Sequence, residues 1–332
     1  MSRCLVIFVS LFLLSCVNNT PNNATKNSDK HNADVVTQSE NQLVDTMSAE
    51  AYVDRARHNL ANEQISSAMK DINSALSLDK KNIDALLVLA DIYYALGDED
   101  NILLTLNKAC EHAPLDPRPI VKLSELSFLQ GNAQMANAYI DKALELDRYN
   151  PRAYFMRGMI ALSANDTINA MKSFMTSRMQ QDDFIDPVVQ IAHIYAVRGD
   201  TLAKAFYKEA LAIAPQDYSL QYEYAMYLQD NGFPEEAMEC YDSLLEINPD
   251  VYDFIYNKGY IYFVYYGDNQ KALECFDKAL EIDPLSENAL FNKGRVYEEI
   301  GDYTNAKSIY LQILRKNPNY QLAIDAINRL GE

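Results

Sequence analysis

Beyond residue 48, apolar side chains recur at spacings of three and four along the chain. That is the period of helices with one buried face. From Ile83, the residues Leu86, Leu89, Ala90 and Tyr93 fall on one face of a first helix. After Gly97, Ile102, Leu106 and Ala109 fall on one face of a second, and Pro114 closes the unit. A unit of about 34 residues built this way returns eight times, with starts near 49, 83, 117, 151, 185, 218, 252 and 287. The repeats span 49–319, and residues 320–332 form a final capping helix. The unit near 185 lacks one residue in its turn Gly199-Asp200-Thr201-Leu202. The unit near 252 gains one between Gly259 and Gly267. Six glycines punctuate turns between paired helices: Gly97, Gly131, Gly199, Gly232, Gly267 and Gly301. Gly158, Gly259 and Gly294 stand instead at the eighth position of their units, where two helices come closest. The pattern predicts an all-α chain.

The N-terminus reads differently. Met1-Ser2-Arg3 precedes the apolar run Leu5–Leu14, which is too short to span a bilayer and has the length of a signal-peptide core. Residues 1–15 are expected to be a signal peptide, ending at Leu13-Leu14-Ser15-Cys16. That sequence resembles the lipobox of bacterial lipoproteins. The resemblance implies cleavage before Cys16, acylation of Cys16, and anchoring in the cell envelope through the lipid alone. Val17 stands where an inner-membrane retention aspartate would be, so the resemblance favours the outer membrane, facing the periplasm. An ordinary signal peptide with an incidental cysteine is the alternative, and the sequons at Asn18, Asn23 and Asn165 keep it open. From Val17 to Ser48 there is no aromatic residue and no glycine. Such a segment buries too little apolar surface to offset its conformational entropy, so residues 16–48 are expected to be a lipidated cysteine and a disordered tether.

The repeat resembles the tetratricopeptide-repeat (TPR) family. A bulky residue stands at position 4, with apolar, small and aromatic residues at 7, 8 and 11 and small or aromatic residues at 20, 24 and 27. The resemblance implies an α-solenoid of about eight helix-turn-helix repeats wound as a right-handed superhelix. Its concave groove would be lined by the first helices. Family ligands contact positions 2, 5, 9 and 12 of those helices. Carried over to this chain, the candidate groove residues are Tyr94, Phe128, Phe155, Met159, Tyr222, Met226, Tyr256, Tyr260 and Phe291. The family's carboxylate clamp has Lys at position 5 and Asn at position 9, and this chain never does, so that binding mode is not expected.

Charge and chemistry narrow the function. The 332 residues carry 29 Lys and Arg against 47 Asp and Glu, a net charge of −18. That balance opposes nucleic acid and anionic lipid surfaces as partners. The acidic residues Asp84, Asp91, Glu125 and Asp186, near the groove surface, favour a basic protein or peptide through steering and cation–π contacts. His31, His58, His112 and His193 form no i, i+4 metal pair, and with Gly331 ending the last helix no glycine remains for a phosphate loop. Cys110, Cys240 and Cys275 are expected to be small buried residues, neither bridges nor nucleophiles. No metal, cofactor or catalysis is expected. Of the 23 tyrosines, 11 lie between Tyr218 and Tyr266, and they either form an amphipathic platform or fill inter-repeat packing. The leading function is a non-enzymatic, membrane-anchored scaffold or adaptor in the bacterial envelope. A glycan- or peptidoglycan-binding module using the tyrosine-rich groove is one alternative, and a self-associating assembly component is another.

Overall fold

A computed structural model describes residues 47–331 of the chain. The expected signal peptide, Cys16 and nearly all of the tether lie outside the described residues. Those described form 17 α-helices and one π-helical turn. In the first compact unit, ending at Pro187, they are α1 (Ala49–Ala61), α2 (Ile65–Leu78), α3 (Ile83–Leu96), α4 (Glu99–His112), α5 (Pro117–Leu129), α6 (Ala133–Leu146), α7 (Pro151–Ser163) and α8 (Thr167–Gln180). Helix α9 (Ile185–Val197) runs across the division. The second unit holds α10 (Leu202–Ile213), α11 (Tyr218–Asp230), α12 (Pro234–Ile247), α13 (Tyr252–Ile261), α14 (Asn269–Ile282), α15 (Glu287–Glu299), α16 (Tyr303–Lys316) and α17 (Gln321–Gly331). Consecutive helices pack as hairpins: α1 on α2, α3 on α4, α5 on α6 and α7 on α8 in the first unit, and α11 on α12, α13 on α14 and α15 on α16 in the second. The fold class is an all-α solenoid.

Most of the described helices begin at a side-chain cap. Ser48, Asn82, Asp116, Asn150, Asp217 and Ser286 cap first helices, their side-chain oxygens accepting from backbone N–H groups two or three residues on. Asp98, Asn132, Asp166, Asp268 and Asp302 do the same for second helices. Each cap satisfies a donor that the helix itself leaves unpaired, worth about 1 kcal/mol. Gly97 ends α3 at φ 71°, a left-handed geometry open to glycine and costly for most other residues. Two turns lack the glycine and hold the same geometry with Glu63 (φ 58°) and Asn165 (φ 60°).

The core runs along the hairpins, made where a large residue of the second helix enters the space left by a small residue of the first. Ala56 and Ile72 share one buried cluster, and Ala90 and Leu106 another. Where the large residue is a ring, the small one is glycine in three hairpins. A Cβ on Gly158 would fall 2.5 Å from the ring of Phe174, and one on Gly259 would fall 2.9 Å from Phe276. Gly294 meets Tyr310 in the same way.

Two irregularities have visible solutions. The extra residue between Gly259 and Gly267 is taken up by the π-helical turn Tyr262–Tyr266, after which Gly267 ends the helix at φ 62°. Arg55, at an ordinarily apolar position, is held by Asp71, whose side chain is 5% exposed. Its Nη2 donates at 2.5 Å and its Nε at 2.8 Å, and Asn59 donates to the same carboxylate at 2.9 Å. The first hairpin therefore replaces part of its apolar contact with a satisfied charge pair. Between repeats an aspartate of one second helix pairs with a cation 16 residues on: Asp141 with Arg157, Asp242 with Lys258, Asp277 with Lys293. These aspartates are more than half exposed, so each pair adds little stability.

Two outcomes are expected from urea denaturation of the purified protein. Gly158→Ala should destabilise by about 1–3 kcal/mol through overpacking against Phe174, and the second change Phe174→Leu should recover part of that loss. A cost that Phe174→Leu leaves undiminished would place the problem elsewhere. Glu63→Gly should stabilise by about 1 kcal/mol by removing a side chain from left-handed backbone. Asn165→Gly should gain much less, because asparagine tolerates that conformation.

Candidate functional site

The first helices of the first unit turn charged residues to a common side. Positions 2 and 9 of successive repeats lie on one face because they are two helical turns apart. Arg57 of α1, Asp84 and Asp91 of α3, Arg118, Lys122 and Glu125 of α5 and Arg152 of α7 meet around a cleft of about 430 Å³. Its floor is apolar, formed by Leu87, Val88, Val121 and Leu126 among others. Tyr94 lines the same cleft.

The acidic residues expected near this surface are not a bare anionic stripe. Asp84 accepts from Arg118 at 2.8 Å and from Arg57 at 3.1 Å. Arg118 also binds Asp116 at 2.7 Å, and these carboxylates hold its guanidinium firmly protonated. Lys122 pairs with Asp91. Burial works against the Lys122 charge, but Asp91 and Glu125 more than offset it and its pKa is raised. The deeper carboxyls differ. Burial pushes Glu125 up, against the pull of Lys122 and Arg152, while Asp91 repels it further. Burial pushes Asp186 up to about 6, with Arg152 opposing and Glu125 adding repulsion. Arg152 lies over the ring of Phe184, 5.3 Å from its centroid. The sequence reading named the acidic members of this cluster and passed over its cations. The signal was present: Arg118 and Arg152 occupy position 2 of consecutive repeats, and Arg57 occupies position 9 of its own.

The aromatic candidates divide by how much of each ring is already in use. Phe128 and Phe155 are half-buried against the core of the third and fourth hairpins. Phe155 also packs edge-on to Phe184 at 5.4 Å. Met159 is half-buried. In the second unit, the Tyr222 hydroxyl accepts from Asn257 Nδ2 at 3.2 Å and the Tyr256 hydroxyl from Asn292 Nδ2 at 2.6 Å. The Tyr222 ring packs on Phe254 at 5.2 Å and Tyr241 at 6.2 Å. Tyr256 stacks on Tyr252 at 5.7 Å and leans on Phe276 at 5.8 Å. Phe291 sits between Tyr310 and Tyr320 at 5.6 and 5.9 Å. Tyr260 is half-buried, and Met226 is 39% exposed. Two groove-position tyrosines thus tie one repeat to the next. Asn257 and Asn292, each 35 or 36 residues after its tyrosine, are the partners that sequence reasoning did not connect.

His193 Nε2 lies 2.9 Å from Glu223 Oε2, and the imidazole packs near Tyr207. Cys110, Cys240 and Cys275 are free thiols, only half-buried where small buried residues were expected. Burial pushes each of their pKa values up, which keeps them as thiols and poor nucleophiles. Among the described residues, no group of three or more His, Cys, Asp or Glu side chains is placed to hold a metal ion. No described helix is long and apolar enough to cross a membrane.

Known proteins resemble this arrangement. Tetratricopeptide-repeat models match residues 218–251, 252–284 and 275–308. A TPR repeat-containing protein of Methanocaldococcus jannaschii is 23% identical over 195 residues, 56% of this chain, and the chain spans about a third (34%) of that relative's length. Among solved structures, the C-terminal part of a TPR repeat-containing protein from Cytophaga hutchinsonii superposes with a TM-score of 0.59 at 16% identity, covering 72% of this chain and 98% of that one. The type IV pilus biogenesis factor PilW superposes at 0.51 with 16% identity, covering 64% and 98%. Residues 218–308 match tetratricopeptide-repeat models, and the described helical hairpins share the fold of TPR solenoid proteins.

Proposed function

We propose that this protein is a non-enzymatic scaffold that holds protein or peptide partners on its first helices while a lipid on Cys16 anchors it in the bacterial envelope. The observation that carries the scaffold reading is the cleft of the first unit. Leu87, Val121 and Leu126 offer apolar contact there, and charged side chains border them on several sides. An apolar centre with a polar rim is the anatomy of a protein–protein contact. A glycan would need open ring faces. At Tyr222 and Tyr256 the rings lie against Phe254, Tyr241, Tyr252 and Phe276, which favours the protein reading. The anchor rests on the lipobox-like Leu13-Leu14-Ser15-Cys16, and several acyl chains at about 0.8 kcal/mol per buried methylene would hold the protein on a membrane. Its location at the outer membrane, facing the periplasm, belongs to the same proposal.

Crosslinking of the full chain in its native host, followed by mass spectrometry, tests the scaffold. Crosslinks from a distinct protein should map to the first helices and weaken several-fold in Tyr94→Ala. Crosslinks confined to the outer faces of second helices would refute groove binding. Membrane fractionation tests the anchor: Cys16→Ala should move the protein to the soluble fraction, and an unchanged distribution would defeat the lipoprotein reading.

A further inference from the structure

Charge accounting within the cleft leaves a remainder. Arg57, Arg118 and Lys122 are matched by Asp84, Asp116 and Asp91 through direct ion pairs. Glu125 of α5 and Arg152 of α7, both lining the cleft, are left, together with Asp186 of α9, which does not line the cleft but feels the charge of both. Among the described residues, neither Glu125 nor Asp186 makes a hydrogen bond or ion pair, although both are half-buried. The one neighbouring cation without an ion pair, Arg152, has its guanidinium over Phe184. Both carboxylates feel Arg152 and repel each other, and the other cation near Glu125, Lys122, is already paired with Asp91. The groups facing Glu125 are Asp91 from α3, Lys122 from α5 and Arg152 from α7. Those facing Asp186 are Arg152 and Glu125. A half-buried carboxylate with no partner is costly, and an incoming positive charge would relieve it.

We propose that Glu125 and Asp186 are the seat for one cationic side chain, a lysine or arginine on a peptide segment of the partner. Its aliphatic stem lies over Val121 and Leu126 in the cleft. The assignment rests on the scaffold reading and sharpens it by naming what the partner must present. Charge decides the sign. A further anion would meet two carboxylates, with Lys122 already paired to Asp91 and Arg152 already drawn to both, whereas a cation adds the positive charge that the two carboxylates lack. Shape decides the class: a cleft of about 430 Å³ with an apolar floor accepts a long stem as well as a charged head.

The test uses the full chain and three capped heptapeptides, identical except for a central lysine, norleucine or glutamate, with binding followed by NMR shift perturbation. The lysine peptide should bind about tenfold more tightly than the norleucine peptide, and the glutamate peptide most weakly. Glu125→Gln/Asp186→Asn should erase the preference for lysine. The same double variant should raise Tm at pH 8, because it removes uncompensated buried charge, and that gain should shrink as pH falls below about 6, where Asp186 takes up its proton. The lysine preference of the natural protein should fall over the same interval. Equal binding of lysine and norleucine peptides would overturn the proposal while leaving a groove that binds peptides. Absence of binding by all three would also overturn it. The scaffold reading itself would fall only if crosslinking in the host also found no partner on the first helices.

Discussion

The close approach of two helices within each hairpin is the constraint from which the rest follows. A ring that enters between two helices needs a small facing residue, and in three hairpins that residue is glycine, as Gly158 is for Phe174 and Gly259 for Phe276. Where the inserted side chain is aliphatic, as at Ile72 or Leu106, alanine is small enough. Interiors are dense, so one methyl group in the wrong place cannot be absorbed silently. The hairpin is thus a unit of fixed geometry. Fixed hairpins present the second, fifth and ninth residues of each first helix on a shared side.

That shared side does two different things in the two units. In the first, ionic residues at those positions meet over an apolar floor and most pair with one another, which keeps the cleft polar at its rim without leaving it strongly charged. In the second, tyrosines occupy equivalent positions and the next repeat uses them. Asn257 donates to Tyr222 and Asn292 to Tyr256. A phenol has an apolar ring and a polar tip, so it can complete the packing of its own repeat and satisfy a buried amide of the following one. The abundance of tyrosine in this chain is in part a device for joining repeats.

Irregular repeats show how much deviation the constraint tolerates. The added residue after Gly259 widens one turn of helix and leaves Gly267 to end it, so the hairpin is kept at the cost of a π-helical segment. Arg55 occupies an apolar position in the first repeat and is accommodated because Asp71 and Asn59 satisfy it. In both cases the local change is contained within a single hairpin. That is expected of an array in which each repeat touches only its neighbours.

The sequence by itself determined the repeat, the helical class and the hairpin turns. Each of these is written in residues close along the chain, where spacing maps directly onto a helix face. The eighth-position glycines and the turn glycines could be read without coordinates because backbone conformation and close approach are local demands. The charged cleft was legible only in halves. Asp84, Asp91, Glu125 and Asp186 stood out as acidic, but the cations that pair with Asp84 and Asp91 come from other repeats, and pairing over 27 to 34 residues follows from how repeats stack. Only the tertiary structure decided which carboxylates are already satisfied, as Asp84 is between two arginines, and which stand unpaired, as Glu125 does. The same holds for Tyr222 and Tyr256, whose positions were readable and whose hydroxyl partners were not. A side chain's position follows from helical period, whereas its remaining capacity to bind depends on neighbours that the fold brings to it.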